Sequence, residues 1–443
     1  MNLPFSSLAD ALAWLDGHVD FESKMPTRRS LPTLDRMREL VHLLGNPERA
    51  YPSVHITGTN AKGSTAAMLT ALFCSMGLSV GTYTSPDLER INERICLGKE
   101  PIDDDSLAAV LSTLAGLEEL VSERPTRFEL LSAAAFAWFA DVAVDVAVIE
   151  VGLGGTWDAT NVIDSEVAVV TNISFDHAEI LGPTLEDIAL DKAGIVKPGA
   201  VAVVGERDPS LVSIIETRAR EAGAEAIWVA GSDFVTEANR LALGGRLVDL
   251  RSPSRRYPEV LVSLHGPHQG ENAACALAAA EAFFARALEQ DVVEEAFSSV
   301  EVPGRLEVVG HQPLVVLDGA HNVAGMEALA AALGEGFSVD GPIVAVIGML
   351  RGRDPKAMLS ALAPIGLATV VACTPDSPRA IAAEELAAEG RALGFDVEIG
   401  GSVARAVELG LAMVPADGML VVAGSLYVVG GARSALVDAA RPH

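Results

Sequence analysis

The sequence predicts an α/β protein, with a doubly wound parallel sheet in an N-terminal domain of residues 1–300 and a smaller α/β domain over residues 301–443. Three observations predict it. Short Val/Ile-rich runs alternate with Ala/Leu-rich stretches of helical length along most of the chain, the pattern of βαβ units. Those runs are continuously apolar, as parallel strands buried on both faces must be. Gly and Ala are plentiful and aromatics few, which suits packed α/β layers better than a β-sandwich. A chain of 443 residues is also longer than one hydrophobic core usually serves.

Each element follows from a local signal. "VHIT" reads as a strand feeding a helix over about Lys62–Met76, and "LSVGTYTS" as the next strand. "FELLSAAAFAWFA" has helical length and leads into the strand "VDVAVIEVG". "EVAVVTNIS" and "AVAVVGE" are further strands, with the helix "TLEDIALDKAG" between them. Residues 230–264 differ: a Gly-Gly pair and a Pro/Ser/Arg turn at hairpin spacing predict a small antiparallel appendage. "HQGENAACALAAAEAFFARAL" is a strong helix. After the turn at Pro303 and Gly304 a second series begins, with strands "LVVLDGA", "IVAVIGM", "ATVVACT" and "MLVVAGS".

Composition narrows the function. The formal net charge is -28, so a broad nucleic-acid surface is not expected. Any anionic substrate must be met by local lysines, arginines, helix N-termini or metal ions. The four cysteines are widely spaced, which predicts reduced thiols rather than a disulfide framework or a zinc site. The N-terminus lacks a basic region followed by an apolar one, and no apolar run reaches membrane-spanning length. A cytoplasmic monomer that does not touch membranes is the expectation.

Three stretches carry candidate chemistry. "GTNAKGST" joins strand to helix through a Gly-rich turn, a shape that offers backbone N–H groups to a phosphate. It departs from the usual G-x-x-x-x-G-K-[ST] pattern, since Ala61 precedes Lys62 and Ser64 comes two positions after it. Lys62 would neutralise phosphate oxygens, and Ser64 or Thr65 would ligate Mg²⁺. Glu150 ends the strand of "VIEVGLGGTWDATNV", in the crevice where α/β proteins bind ligands. Beside a triphosphate it would hold Mg²⁺. Asp176 and His177 follow another strand in the same way. Read singly, each has a plain alternative: a turn lysine, a solvated strand end, a structural histidine.

Taken together, "GTNAKGST", "YTSPDLERINER", "EVGLGGTWDATNV", "DHAEILGPTLEDIALDKAGIVKPG", "HQGENAACA", "PGRLE" and "LDGAHNVAGM" run in one order from about residue 30 to the C-terminus. This series resembles the folylpolyglutamate synthase / dihydrofolate synthase family of ATP-dependent Mur-type ligases. The resemblance implies a P-loop-type first domain and a Rossmann-like second one that closes over the nucleotide. It implies that Gly58, Thr59, Asn60, Ala61, Lys62, Gly63 and Ser64 bind the phosphates of ATP, with Asn272, Arg305 and Asp318 also on the nucleotide and His321 close by. Ser64, Ser85 and Glu150 would hold one Mg²⁺ and His177 a second. Lys192, carbamylated, would place a negative oxygen near that second ion. Pteroate would meet Asp35, Arg36 and Met37, then Thr126, Arg127, Phe128 and Glu129, then Trp157, Asp158 and Ala159.

The implied substrates are dihydropteroate or a reduced folate, L-glutamate and ATP. The implied reaction is amide ligation through an acyl phosphate, with Lys62, His177, Lys192, Arg305 and His321 as the catalytic set. Two departures stand out. The family's loop reads G-T-N-G-K-G-[ST], so Ala61 replaces a glycine, and Asp87 stands where the family usually has histidine. A Mur-type ligase for another carboxylate, such as a cell-wall precursor, and a non-catalytic nucleotide-binding relative are the other readings the residues allow.

Overall fold

A computed structural model describes residues 5, 7–23, 25, 26 and 33–440. The first eight strands are β1 (Ser53–Thr57), β2 (Val80–Tyr83), β3 (Ile95–Leu97), β4 (Glu100–Pro101), β5 (Val146–Glu150), β6 (Val167–Val170), β7 (Val201–Val204) and β8 (Ala226–Val229). They form one sheet in the order β4-β3-β2-β5-β1-β6-β7-β8. Pairing is parallel from β2 to β8 and antiparallel for β2–β3 and β3–β4. β1, β5 and β6 are buried at every position. β5 and β6 are almost wholly Val, Ile and Ala, as central parallel strands demand, whereas β1 alternates Val54 and Ile56 with the polar Ser53, His55 and Thr57.

The order matters for function. β1 lies between β5 and β6, with Ile56 opposite Glu150 and Thr57 opposite Val170. The chain moves to one side of β1 through β2 and β5, then to the other through β6 and β7. That is a topological switch point, and the loops leaving β1, β5 and β6 emerge together there.

Helices lock in through local capping. Thr126 and Glu129 form a reciprocal capping box on the helix Arg127–Asp141, and Thr184 and Asp187 do the same for Leu185–Lys192. The helix Lys62–Ser75 has no side-chain cap and starts from Ala61 instead, which leaves its first N–H groups for another acceptor. Phe136, Phe139, Leu130 and Leu131 pack with Ile149 and Tyr83 in one hydrophobic cluster, and Ile188, Ile215 and Leu211 pack with Val170 and Val204 in another.

β9 (Val235–Ala242), β10 (Gly245–Arg251) and β11 (Arg256–Val262) make a three-stranded sheet in the order β11-β10-β9. Their short links have hairpin length, as expected for the appendage. β12 (Glu307–His311), β13 (Leu314–Leu317), β14 (Ile343–Ile347), β15 (Leu367–Thr374), β16 (Val397–Ser402) and β17 (Met419–Ala423) form the last sheet, ordered β12-β13-β17-β14-β15-β16. All its pairs are parallel except β12–β13.

The chain divides into two compact units. One comprises Met1–Ala238, Val248–Val262 and Gly270–Val300, the other Asn239–Leu247, Ser263–Gln269 and Glu301–His443. The core of the second unit gathers Met326, Leu329 and Leu333 against Ile347, Val421 and Leu359. Among the described residues, no helix is long and apolar enough to cross a membrane.

Candidate active site

The loop after β1 is built by its neighbours as much as by its own residues. Gly58 has φ +152, and a Cβ there would lie 1.8 Å from Thr171 Oγ1, so only glycine fits. Thr59 N–H donates to the Asn172 carbonyl at 2.9 Å, and Asn60 N–H to Asn172 Oδ1 at 2.9 Å. Thr59 Oγ1 donates to the Ser174 carbonyl at 3.1 Å. Thr171 Oγ1 donates to the Asn60 carbonyl at 2.7 Å. The polar residues that follow β6 thus strap the loop down. Ala61 then adopts the left-handed conformation, φ 69 and ψ −7. This is the conformation that a glycine would take without strain, so the loop keeps the shape that the family's glycine implies. Lys62 lies over the loop, with Nζ 3.3 Å from the Thr59 carbonyl.

Glu150 faces this loop from the end of β5. A Cβ on Gly63 would lie 3.7 Å from Glu150 Oε2, and the same oxygen accepts the Ser85 N–H at 3.2 Å. Ser64, Thr65 and Glu150 are buried, and the Thr65 hydroxyl has no hydrogen-bond partner. The structure therefore brings Ser85, Glu150 and the helix start at Gly63 together. His177 sits at φ 53, with Nε2 3.5 Å from Asp176 Oδ1. Among the described residues, no group of three or more His, Cys, Asp or Glu is placed to hold a metal ion.

Lys192 ends its helix deep in the protein, 4% exposed, and donates to the Gly58 carbonyl at 2.9 Å. Burial, reinforced by the positive charge of Lys62, lowers its ammonium to about 7, while Asp191 and Asp158 pull the other way. Asp191 beside it is raised to about 6, chiefly by burial.

The residues implied for pteroate divide between several environments. Trp157 lines a cleft of about 480 Å³ with Leu181, Leu190 and Asp191. Asp158 is buried and turned into hydrogen bonds from Leu153 N–H and Thr160 N–H at 2.9 Å and Thr160 Oγ1 at 2.5 Å. Burial still raises its carboxyl above the usual range. Thr160 also pairs with the buried His55, Nε2 to Oγ1 at 2.8 Å. Phe128 fills the space over Gly152, where a Cβ would meet its ring at 2.5 Å. Arg36 reaches Glu129 Oε1 at 3.1 Å, while Met37 is buried and Asp35 is exposed against Arg38. Thr126 and Glu129 have a structural task as well, the capping box. Ala159 is buried.

In the second unit, Asp318 follows β13 and accepts N–H groups from Leu306 at 2.9 Å and Ala320 at 2.8 Å. Arg305 packs on Gly319, where a Cβ would stand 2.5 Å from Nη1. Gly319 N–H donates to the Gly304 carbonyl at 2.7 Å. His321 Nδ1 lies 2.8 Å from the Gly319 carbonyl. Arg305, Asp318 and His321 are thereby gathered at one end of this sheet. His268 feels the charges of both Asp318 and Arg305, and burial lowers its pKa first of all. Asn272, which belongs to the first unit, is buried in the helix His268–Phe284.

Comparison with known proteins bears on this arrangement. Residues 56–280 match the Mur ligase middle domain and residues 304–426 the Mur ligase, glutamate ligase domain. The chain is 39% identical to the dihydrofolate synthase/folylpolyglutamate synthase of Mycobacterium tuberculosis, over 85% of this chain and 81% of that protein. The chain belongs to the folylpolyglutamate synthase / dihydrofolate synthase family. A solved M. tuberculosis folylpolyglutamate synthase complexed with ADP superimposes with a TM-score of 0.90 at 36% identity, covering 98% of each chain. E. coli FolC, solved in complex with DHPP and ADP, gives 0.87 at 29% identity over 99% of each chain. This family of ATP-dependent ligases accounts for both sheets and for their order.

A divalent cation fits the donors present. The buried Glu150 carboxylate and the buried Ser64 and Thr65 at the start of the helix after the loop offer hard oxygen donors, which suit Mg²⁺ when phosphate oxygens and water complete the set. Several residues that shape the site were not singled out by sequence: Thr171, Asn172, Ser174, His55, Asp191, Arg94 and His268. The polar "TNIS" immediately after the apolar "VAVV" of β6 was an available signal, since an abrupt change at a strand's carboxyl end marks a ligand-facing loop.

Proposed function

We propose that this protein joins L-glutamate to the carboxylate of a pteroate or reduced folate, driven by ATP, as a dihydrofolate synthase, a folylpolyglutamate synthase or both. One observation carries the reading. A strapped phosphate loop with a left-handed Ala61 stands beside a buried Glu150 tied to Ser85, in a chain of this ligase family.

The parts divide the work as follows. Loop N–H groups and Lys62 hold the triphosphate, and Asn272, Arg305, Asp318 and His321 are proposed for further contacts to the nucleotide. Ser64, Ser85 and Glu150 would hold Mg²⁺, with His177 and carbamylated Lys192 at a second ion. When bound, Mg²⁺ supplies charge neutralisation on the phosphates. The substrate carboxylate attacks the γ-phosphorus, the bond to ADP breaks, and an acyl phosphate forms. The glutamate amine attacks the acyl carbon and loses a proton, and phosphate departs with the bonding electrons. Phosphoryl transfer asks mainly for positioning and charge stabilisation, which Lys62 and Arg305 supply. Asp35 to Met37, Thr126 to Glu129 and Trp157 to Ala159 are proposed to recognise the pterin side. A monomer with no role in nucleic-acid binding is the simplest assembly consistent with small-molecule substrates.

The test offers dihydropteroate, tetrahydrofolate and a UDP-linked muramyl substrate separately, each with ATP and L-glutamate, and identifies products by mass. Glutamylated pteroate or folate is expected. A product from the muramyl substrate alone would move the chain to cell-wall chemistry, and no product from any would make it a non-catalytic relative.

A further inference from the structure

Arg94 grips the turn Thr84–Asp87 at both ends. Its backbone carbonyl accepts the Thr84 N–H at 2.9 Å, and its Nε donates to Asp87 Oδ1 at 2.5 Å. The opposite edge of the guanidinium is bidentate on Glu22, Nη1 to Oε1 and Nη2 to Oε2, both at 2.7 Å. The Arg94 side chain is only 3% exposed. Charge-assisted, forked contacts of this kind fix geometry as well as adding energy. The rest of the loop is braced separately: the Glu93 carboxylate accepts N–H groups from Leu88 at 2.9 Å and Arg90 at 2.9 Å.

Ser85 lies inside this grip, and its N–H is the group that meets Glu150 Oε2. Asp87, two residues on, is the carboxylate by which the turn is tied to Arg94. Glu22 in turn fixes the direction of Arg94 from a distant part of the chain. The grip on Asp87 and Thr84 thus fixes the backbone of the turn whose Ser85 N–H meets Glu150.

We infer that Asp87 and Glu22 act through Arg94 as positioning residues that fix Ser85 against Glu150 and so set the affinity of the divalent-cation site. This rests on the reading, given above, that Ser85 and Glu150 hold the cation. Asp87 is then a working substitution and not a lesion: it supplies Arg94 with an anion that a neutral histidine could not.

The probe is Mn²⁺, titrated into the full-length protein carrying a non-hydrolysable ATP analogue and followed by electron paramagnetic resonance, so no turnover is needed. Asp87→Asn should weaken Mn²⁺ binding by about tenfold, the size expected when a supporting contact to a metal ligand is lost, and Asp87→Glu should recover part of it. Asp104→Asn, at the start of the helix Asp104–Leu117, breaks the exposed ion pair with Arg90 of the same loop, while its amide oxygen can still accept from Asn92 Nδ2, and should leave Mn²⁺ affinity unchanged. If Asp87→Asn does not fold, Arg94→Lys carries the test, because a lysine cannot grip both carboxylates, and at least about fivefold weakening is expected. Folded variants with wild-type Mn²⁺ affinity, or an Asp104→Asn effect as large as that of Asp87→Asn, overturn the inference. If the wild-type complex itself takes up no Mn²⁺, the metal-site reading fails, and this inference fails with it.

Discussion

Ala61 carries a Cβ in a left-handed conformation, φ 69, which costs an L-residue about 1 kcal/mol. The loop retains that shape because Thr59, Asn60 and Gly58 are held by the residues that follow β6. Ala61→Gly should therefore raise stability by about 1 kcal/mol in chemical denaturation. It should change the apparent ATP affinity by less than about tenfold, since tenfold needs about 1.4 kcal/mol. A silent protein made active by this change would instead mark the native chain as degenerate. Lys192 gives a pH-dependent counterpart. Its folded-state pKa is lowered to about 7 by burial, so below that value the folded interior carries an ammonium at full cost. Between about 7 and the unfolded value of about 10.4 the folded state has lost the proton and the unfolded chain has not, so the cost fades as pH rises. Lys192→Met should thus gain stability relative to wild type mostly below pH 7, and the gain should shrink toward pH 10. A difference that stays flat with pH would contradict the burial account of this lysine.

At the scale of elements, the site exists because three strands end together. Glu150 closes β5 and His177 follows β6, each proposed as a metal ligand from a different strand end. Glu150→Ala and His177→Ala should each raise the Mg²⁺ concentration needed for half-maximal activity, and wild-type metal dependence in both would remove the two-ion reading. The central strands were legible because β5 and β6 are apolar at nearly every position, and the motifs lie directly on the carboxyl ends of β1, β5 and β6. Other elements were not singled out. β3 and β4 are short and sit at one edge of their sheet, β8 is only half-buried at the other, and β16 contains two glycines. Edge strands need not be continuously apolar, so hydrophobic runs do not reveal them. In the site, motif order pointed to Lys62, Glu150 and Lys192, but the partners that make them work were invisible. Whether Asp87 replaces a histidine at a cost depends on Arg94 and Glu22, which sequence spacing does not connect. Likewise the hydrogen bonds that Asp158 accepts from Leu153 and Thr160 could not be read from the motif.

At the scale of the molecule, a net charge of -28 sets a problem that the fold solves locally. Three anionic substrates must be held by a protein that repels them at long range, so the account relies on a few local cations: Lys62 at the start of the helix after β1 and Lys192 bonded to the Gly58 carbonyl in one unit, and Arg305 against Gly319 in the other. The central claim is that this machinery makes an amide bond through an acyl phosphate. The most direct measurement supplies dihydropteroate and tetrahydrofolate in separate reactions, each labelled with ¹⁸O in the carboxylate that accepts glutamate, together with ATP and L-glutamate. Mass spectrometry then follows both the glutamylated product and the released phosphate, with Lys62→Ala as the control. The account predicts, from one substrate or both, a product one glutamyl residue heavier, one ¹⁸O delivered to inorganic phosphate for each amide formed, and neither from Lys62→Ala. ADP released with no glutamylated product from either substrate, or an amide formed with phosphate free of label, would contradict it.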